Sequence, residues 1–392
     1  MVAHRSGRTT AGRMSVMEQI YLDFNASTPI APEVATAMTP YLEGGYGNPS
    51  SSHWAGHMAK AAVDRARSEV ADLIGASPDE IVFTSGGSEA NNHAIKGLFF
   101  KDRRSVSTPH IITTAIEHPA VLEPCRLLER LGARITRLPV DATGLVDPDQ
   151  VRDAITNDTI LITVMHANNE VGTIEPIAEI GAVARARGIP LHTDAAQSIG
   201  KIEAEVDELG VDLLSIAGHK LYAPKGVGAL YIRNGLDLEP LIHGAGHERG
   251  RRAGTENVLL AVGLGAACRL AREHPCAAQL EGLAARFWRR LHALLGDRIV
   301  LNGHPDRRLP NTLNVGFRGR IGQEVLDKLA GVAASTGSAC HSGSFEMSPV
   351  LQSMGCDPEI GLGAVRFSVG RSTTDAELDL VVEQLERTLD TS

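Results

Sequence analysis

Short apolar runs alternate with amphipathic stretches over the first two thirds of the chain. Segments 81–84, 110–114, 160–165, 190–193, 213–216 and 228–232 read as short buried strands. Between them, 55–74, 88–100 and 177–187 carry apolar residues at helical spacing. Buried strands joined by helices imply crossovers above a mainly parallel sheet. From Val258 the pattern changes. Two long helical stretches, 258–272 and 277–295, precede shorter strands at 312–315 and 364–369 and a last helix at 375–389. The pattern predicts an α/β chain. A large domain with a mainly parallel sheet, of the seven-stranded type, takes residues 19–257. A small α+β domain takes 258–392 and shares the first residues after the N-terminus. Residues 1–18 are expected to form a flexible extension. They hold Arg5, Arg8 and Arg13 but no apolar core of a secretion signal, a loose likeness to a transit peptide, and Met14 and Met17 offer later starts.

Composition narrows the function. The chain has 392 residues, 43% apolar and 22% charged, as a globular protein should. Aromatic residues are only 4% against 40 glycines, which favours Ala/Gly/Val-rich α/β packing. Lys and Arg total 38 and Asp and Glu 47, so the net charge is −9 with no basic stripe, which argues against a nucleic-acid partner. The longest apolar run, 258–268, is too short to span a bilayer. Five cysteines (Cys125, Cys268, Cys276, Cys340 and Cys356) are sparse and form no C-x-x-C pair. A disulfide framework and a structural zinc site are both disfavoured, and a reducing compartment fits. The expected location is cytoplasmic, or an organelle matrix if the extension is a transit peptide. No metal is expected: His243-Gly-Ala-Gly-His247-Glu248 lacks the H-E-x-x-H spacing of a metal-binding helix.

Three segments carry candidate chemistry. Gly86-Gly87-Ser88-Glu89 follows a strand and opens a helix, where unpaired N–H groups and a hydroxyl suit a phosphate. Its plain reading is a strand-to-helix turn with Ser88 as cap. Lys220 follows an apolar strand in a Gly- and Pro-bounded loop, where a desolvated lysine can form a Schiff base. Its plain reading is a surface lysine. Asp194 ends a strand, and Gln197, three residues on, shares its side of a helical turn. A carboxylate at that place is the usual partner of a pyridinium nitrogen in pyridoxal phosphate, and its plain reading is a helix cap.

The order of these pieces is more specific than any of them. Gly-Gly-Ser-Glu precedes Glu117-His118, then Ala167-Asn168-Asn169-Glu170-Val171-Gly172, then Asp194-x-x-Gln197, then His219-Lys220. From Tyr21-Leu-Asp-Phe-Asn-Ala-Ser-Thr28 to Arg366-Phe-Ser-Val-Gly-Arg371 the chain resembles the class V, fold type I pyridoxal-phosphate enzymes, and among them the cysteine desulfurases and selenocysteine lyases. The resemblance implies a fold type I transferase and pyridoxal 5'-phosphate as cofactor. Lys220 would hold the cofactor, Asp194 would pair with the pyridine nitrogen, and Gln197 would donate to the phenolic oxygen. His118 would stack on the ring and move protons. Gly87, Ser88 and His219 would hold the phosphate, and Thr255 would reach the phosphate of a second subunit in a homodimer. Asn169 would lie between cofactor and substrate, Arg366 would clamp the substrate carboxylate, and Asn25 is near the substrate. Many family members carry serine where this chain has Ala217, which removes one hydroxyl from the phosphate site.

Cys340 lies in the Gly- and Ser-rich segment Ala334 to Pro349, which predicts a mobile loop. A thiolate on such a loop can attack a substrate sulfur, and the resemblance places Cys340 at the family's nucleophile position. The expected reaction turns L-cysteine into L-alanine, leaving the sulfur on Cys340 for an acceptor protein. Gly-Ser-Ala-Cys340 favours a desulfurase, whereas Cys340-His341-Ser342, Asn25 and Ala217 lean toward a selenocysteine lyase acting on L-selenocysteine. A class V aminotransferase, which needs no Cys340, and a sulfur-relay scaffold are further alternatives. The intact Lys220, Asp194 and His118 argue against the scaffold.

Overall fold

The buried apolar runs pair into one sheet of seven strands: β1 (Ile81–Thr84), β2 (His110–Thr114), β3 (Arg134–Leu138), β4 (Thr159–Thr163), β5 (Leu191–Asp194), β6 (Leu213–Ala217) and β7 (Gly228–Ile232). Their order is β1-β7-β6-β5-β4-β2-β3. Strand β7 runs antiparallel to β1 and β6, and the other pairs are parallel. Every residue is buried in each strand except β3. That strand, Arg-Ile-Thr-Arg-Leu, lies at the sheet edge, and its arginines face solvent. This protects an edge from further pairing and hides the strand from a search for apolar runs. The computed structural model describes residues 19–102, 108–337, 340–341 and 344–389, without the side chains of Cys340, His341, Ser344 and Phe345. The expected extension at 1–18 lies outside the described residues, as do Ser338, Ala339, Ser342 and Gly343 of the segment expected to form a mobile loop around Cys340.

Helices Trp54–Leu73 and Val258–Glu273 pack against each other on the large sheet. Their contact uses small residues: a Cβ at Gly265 would stand 2.7 Å from Ala66 Cα. The sequence pattern assigns Val258–Glu273 to the small unit. Its buried Val258, Ala261, Leu264, Ala267 and Cys268 instead join the core of the large sheet, and the apolar packing changes between Ala271 and Cys276. A helix apolar on most of its surface must be covered on more than one side, and the large unit offers that cover.

The second core lies under β8 (Ile299–Asn302), β9 (Thr312–Phe317) and β10 (Ala364–Ser368), an antiparallel sheet of order β10-β9-β8. Helices Ala277–Leu295 and Asp375–Leu389 cover it. Ile20 and Leu22 bury their side chains in the same core, and strand Ile20–Tyr21 pairs with Val332–Ala333. The chain therefore leaves one core at Leu22 and enters the other after Thr28, which strings Asn25 between them. Among the described residues, no helix is long and apolar enough to cross a membrane.

Candidate active site

The sheet sets the position of the site. Strands β1, β2, β4, β5 and β6 end beside Gly86–Ser88, Glu117–His118, Ala167–Asn169, Asp194 and Gly218–Lys220 respectively. In open α/β sheets, ligands bind outside the carboxyl ends of the strands. A cavity of about 620 Å³ opens there, within the usual range for a small-molecule site. Asn25, Gly87, Ser88, His118, Asn169, Asp194, Gln197, His219, Lys220 and Arg366 all line it. Residues from 25 to 366 in sequence thus meet at one place. Thr255 is exposed and does not line this cavity. The Cys340 side chain lies outside the described residues.

Lys220 closes a 3₁₀ turn after β6. Its Nζ donates to the carbonyl oxygens of Asn25 at 2.5 Å and Ala26 at 2.8 Å. Burial, aided by the positive charge of Arg366, lowers the amine to about 8, against the pull of Asp23 and Asp194. Burial also holds the imidazole of His118 below its ordinary value; Asp194 opposes this and Lys220 adds to it. His118 caps helix Pro119–Arg130 through Nδ1, which accepts from Ala120 N at 3.1 Å. Its ring is thereby fixed with the other nitrogen free for the cavity.

Asp194 is 7% exposed and is held from two sides. Oδ2 accepts from Asn91 Nδ2 at 2.6 Å, and Oδ1 from Ala196 N at 3.0 Å. Asn91 is one turn into helix Gly87–Asp102, so the helix that opens at Gly87 also aims the carboxylate. Sequence reasoning did not single it out. The available signal was a buried asparagine on the inner face of a helix.

The helix start offers donors. No backbone hydrogen bond engages the N–H groups of Gly87 and Ser88, as at any helix N-terminus. Ser88 Oγ, His219 and Lys225 face the same cavity. The one acid of this turn, Glu89, is occupied: it accepts from Ser85 N at 2.7 Å and pairs with Arg252 at 2.9 Å. A cluster of donors with its acid neutralised fits a phosphate group. A lysine, a fixed carboxylate and this cradle around a cavity of that size fit pyridoxal phosphate as a whole. Ala217 presents a methyl group to Gly87: a Cβ there would come within 3.1 Å of it.

Arg366, on β10, is 8% exposed. Its Nη2 pairs with Asp23 at 2.7 Å and its Nη1 donates to the Asn169 carbonyl at 2.9 Å, while the buried Nε has no partner. An unpaired buried guanidinium N–H is costly, and the residue that carries it lines the cavity. Asp23 was not singled out as a site residue. Asn25 lines the cavity with its side chain already engaged. Its side-chain Nδ2 donates to Thr312 Oγ1 at 2.8 Å and its Oδ1 accepts from Asn311 at 2.9 Å. Nδ2 also donates to the Asn169 carbonyl at 3.3 Å, and it is the main-chain carbonyl of Asn25 that meets Lys220. Asn168 shapes the loop bearing Asn169: its Oδ1 accepts from Glu170 N and Val171 N at 2.8 and 3.0 Å. Within the His243–Glu248 segment, the Glu248 side chain is buried and paired. Glu248 accepts from Phe83 N at 3.1 Å and forms a buried pair with Arg67 at 2.6 Å.

Behind the cavity lies Glu117, fully enclosed. Its Oε1 accepts from Thr114 Oγ1 at 2.8 Å and Met165 N at 2.9 Å. Burial nevertheless pushes the carboxyl up to about 8. A group that holds its proton more tightly when folded stabilises the fold fully below its unfolded value, near 4.3, and loses that contribution as pH rises toward about 8. Glu117→Gln keeps the accepting oxygen and has no proton to lose. Its melting temperature relative to the wild type is expected to climb from about pH 4 to about pH 8 and then level off. A difference independent of pH in thermal melts contradicts a neutral Glu117.

Comparison with known proteins agrees with this geometry. The family model described as aminotransferase class-V matches residues 20–381. A curated relative, "Cysteine desulfurase IscS" of Dictyoglomus turgidum, is 49% identical over 376 residues, covering 95% of each chain. Among solved structures, a "NifS-like protein" superposes with a TM-score of 0.89 at 36% identity, over 96% of this chain and 100% of that one. "SspA in complex with cysteine" does so with a TM-score of 0.80 at 41% identity, over 89% and 98%.

Proposed function

We propose that this chain, which belongs to the aminotransferase class-V family, is a pyridoxal-phosphate-dependent cysteine desulfurase that turns L-cysteine into L-alanine and leaves the sulfur on Cys340. The observation that carries this reading is the cavity in which Lys220, Asp194, His118 and Arg366 meet. It occurs in a chain similar along 95% of its length to a cysteine desulfurase. A structural neighbour described in complex with cysteine supports the same substrate.

The residues divide the work. Gly87, Ser88 and His219 would hold the phosphate, Asp194 would keep the pyridine nitrogen protonated, and Gln197 would donate to the phenolic oxygen. The bound cofactor draws electrons away from the substrate's Cα. Lys220 would be its covalent anchor, and Lys220 Nζ takes the Cα proton and returns it to Cα as alanine forms. Arg366 offers its free N–H groups to the substrate carboxylate, and Asn169 borders the same space. The Cys340 thiolate forms a bond to the substrate's Sγ as the Cβ–Sγ bond breaks. The electron pair passes to Cβ, which is protonated through His118 to become the methyl group of alanine. The sulfur remains on Cys340 as a persulfide until an acceptor protein takes it.

A second copy of the chain completes the site. Thr255 is exposed in the loop that Arg252 ties to Glu89, a position suited to reaching a partner's phosphate. Leu42, Tyr46, Trp54 and Met58 are 67–83% exposed, an apolar surface a homodimer would cover. A Trp54→Glu, Met58→Glu protein is expected to sediment as a monomer and lose most of its activity. A fully active monomer contradicts this role for Thr255. The function itself is tested by product analysis with L-cysteine and L-selenocysteine side by side. Alanine and protein-bound sulfur from cysteine support the desulfurase. Turnover of selenocysteine alone makes the chain a selenocysteine lyase.

A further inference from the structure

The turn after β5 carries polar side chains at a spacing of three and then four residues: Asp194, Gln197 and Lys201. Asp194 and Gln197 face the cavity. Lys201 lies beneath it and is 7% exposed. Lysine is rarely buried to this extent without an acid beside it. Here Nζ ends on an amide: it donates to Gln197 Oε1 at 3.0 Å. The other end of that amide is also engaged, since Gln197 Nε2 donates to the Asn25 carbonyl oxygen at 2.9 Å.

These two contacts leave the carboxamide one orientation. Reversed, it would set its NH₂ group against the Lys201 amine and its oxygen against the Asn25 carbonyl oxygen. As placed, one N–H of Nε2 remains uncommitted on a side chain that lines the cavity. The same Asn25 carbonyl accepts from Lys220. Two lysines therefore stand at opposite ends of one chain of contacts, Lys201 to Gln197 to Asn25 to Lys220.

We infer that Lys201 is a positioning residue, buried beneath the site to hold the Gln197 carboxamide with its nitrogen toward the cofactor. This rests on the reading that Gln197 donates to the phenolic oxygen of pyridoxal phosphate. The groups facing the Lys201 amine set its charge. Burial first, then Lys220 and Arg366, lower it to about 7, and Cys276 acts the other way. Charged or neutral, the amine keeps an N–H for Gln197, so the orientation holds in both states.

The visible absorbance of the bound cofactor changes with pH, and the midpoint of that change reports the surroundings of the phenolic oxygen. Wild type, Lys201→Met, Gln197→Ala and the double variant are loaded with pyridoxal phosphate and titrated. A donated N–H favours the ionised oxygen, so its loss raises the midpoint, by about one pH unit for a hydrogen bond to a charged group. Lys201→Met and Gln197→Ala are expected to raise the midpoint alike, and the double variant no further. A wild-type midpoint in Lys201→Met, or shifts that add in the double variant, overturns the inference. Should Lys201→Met fail to fold, Lys201→Ala is titrated in its place with the same two results at stake. A Gln197→Ala protein with the wild-type midpoint defeats the reading of Gln197 itself, whatever Lys201 does.

Discussion

Replacing Lys220 with alanine is expected to lower turnover of L-cysteine by about 10⁴-fold or more, because one side chain carries two tasks. As a nucleophile the amine must be unprotonated. Its fall from an ordinary lysine value to about 8 increases the share of free amine at neutral pH by roughly two orders of magnitude. Burial and the neighbouring Arg366 cause that fall. As a base the same nitrogen must reach the substrate's Cα, and its two hydrogen bonds to the Asn25 and Ala26 carbonyls hold it at the mouth of the cavity. Alanine removes both functions and leaves the phosphate cradle and Asp194 in place. The variant is therefore expected to bind the cofactor reversibly, and borohydride should no longer fix it to the protein. Steady-state turnover and mass analysis after reduction check this. A Lys220→Ala protein that still processes cysteine defeats the assignment.

A Cys340→Ser protein is expected to keep its cofactor and its cofactor spectrum, yet to release sulfur from L-cysteine about 10³-fold more slowly. An alkyl thiolate is a poor leaving group, and a second thiolate that takes the sulfur removes that obstacle. A selenolate leaves more readily, so activity on L-selenocysteine should survive in the same variant. The argument rests on the sequence position of Cys340 and on its flanks. On one side Ser335 exchanges backbone hydrogen bonds with Arg366, at 3.2 and 2.7 Å. On the other Ser348 donates to the Glu170 carboxylate at 2.5 Å. Both flanks are therefore anchored beside the loop that carries Asn169. Equal cysteine turnover in wild type and Cys340→Ser would remove the nucleophile from the account and return attention to aminotransferase chemistry.

The sheet was legible because its inner strands are buried on both faces and so read as unbroken apolar runs. Strand β3 was not, since an edge strand with arginines at 134 and 137 has no such run. Strand β8 and helix Pro119–Arg130 were likewise not picked out; the helix holds two prolines, Pro119 and Pro124, which break a pattern search though the first suits the opening turn. The affiliation of Val258–Glu273 could not be read because an apolar helix does not say which core it joins.

The site was legible to a different degree. Ordered motifs at strand ends located Lys220, Asp194, Gln197 and His118, which the sheet brings into one cavity. Asn91, Asp23 and Lys201 were not found. Each is an ordinary polar residue in sequence and gains its meaning from a partner 103, 343 or 4 residues away. Even the last, within helical reach, looks like a solvated lysine until its burial is known.

The most direct test of the central claim is a single turnover with L-cysteine, followed by peptide-resolved mass analysis of the cofactor-loaded protein and assay of free alanine. The account predicts one additional sulfur atom, located on Cys340, and one alanine for each site that reacts. Alanine without sulfur on Cys340, or sulfur found on Cys125, Cys268, Cys276 or Cys356 instead, would contradict it.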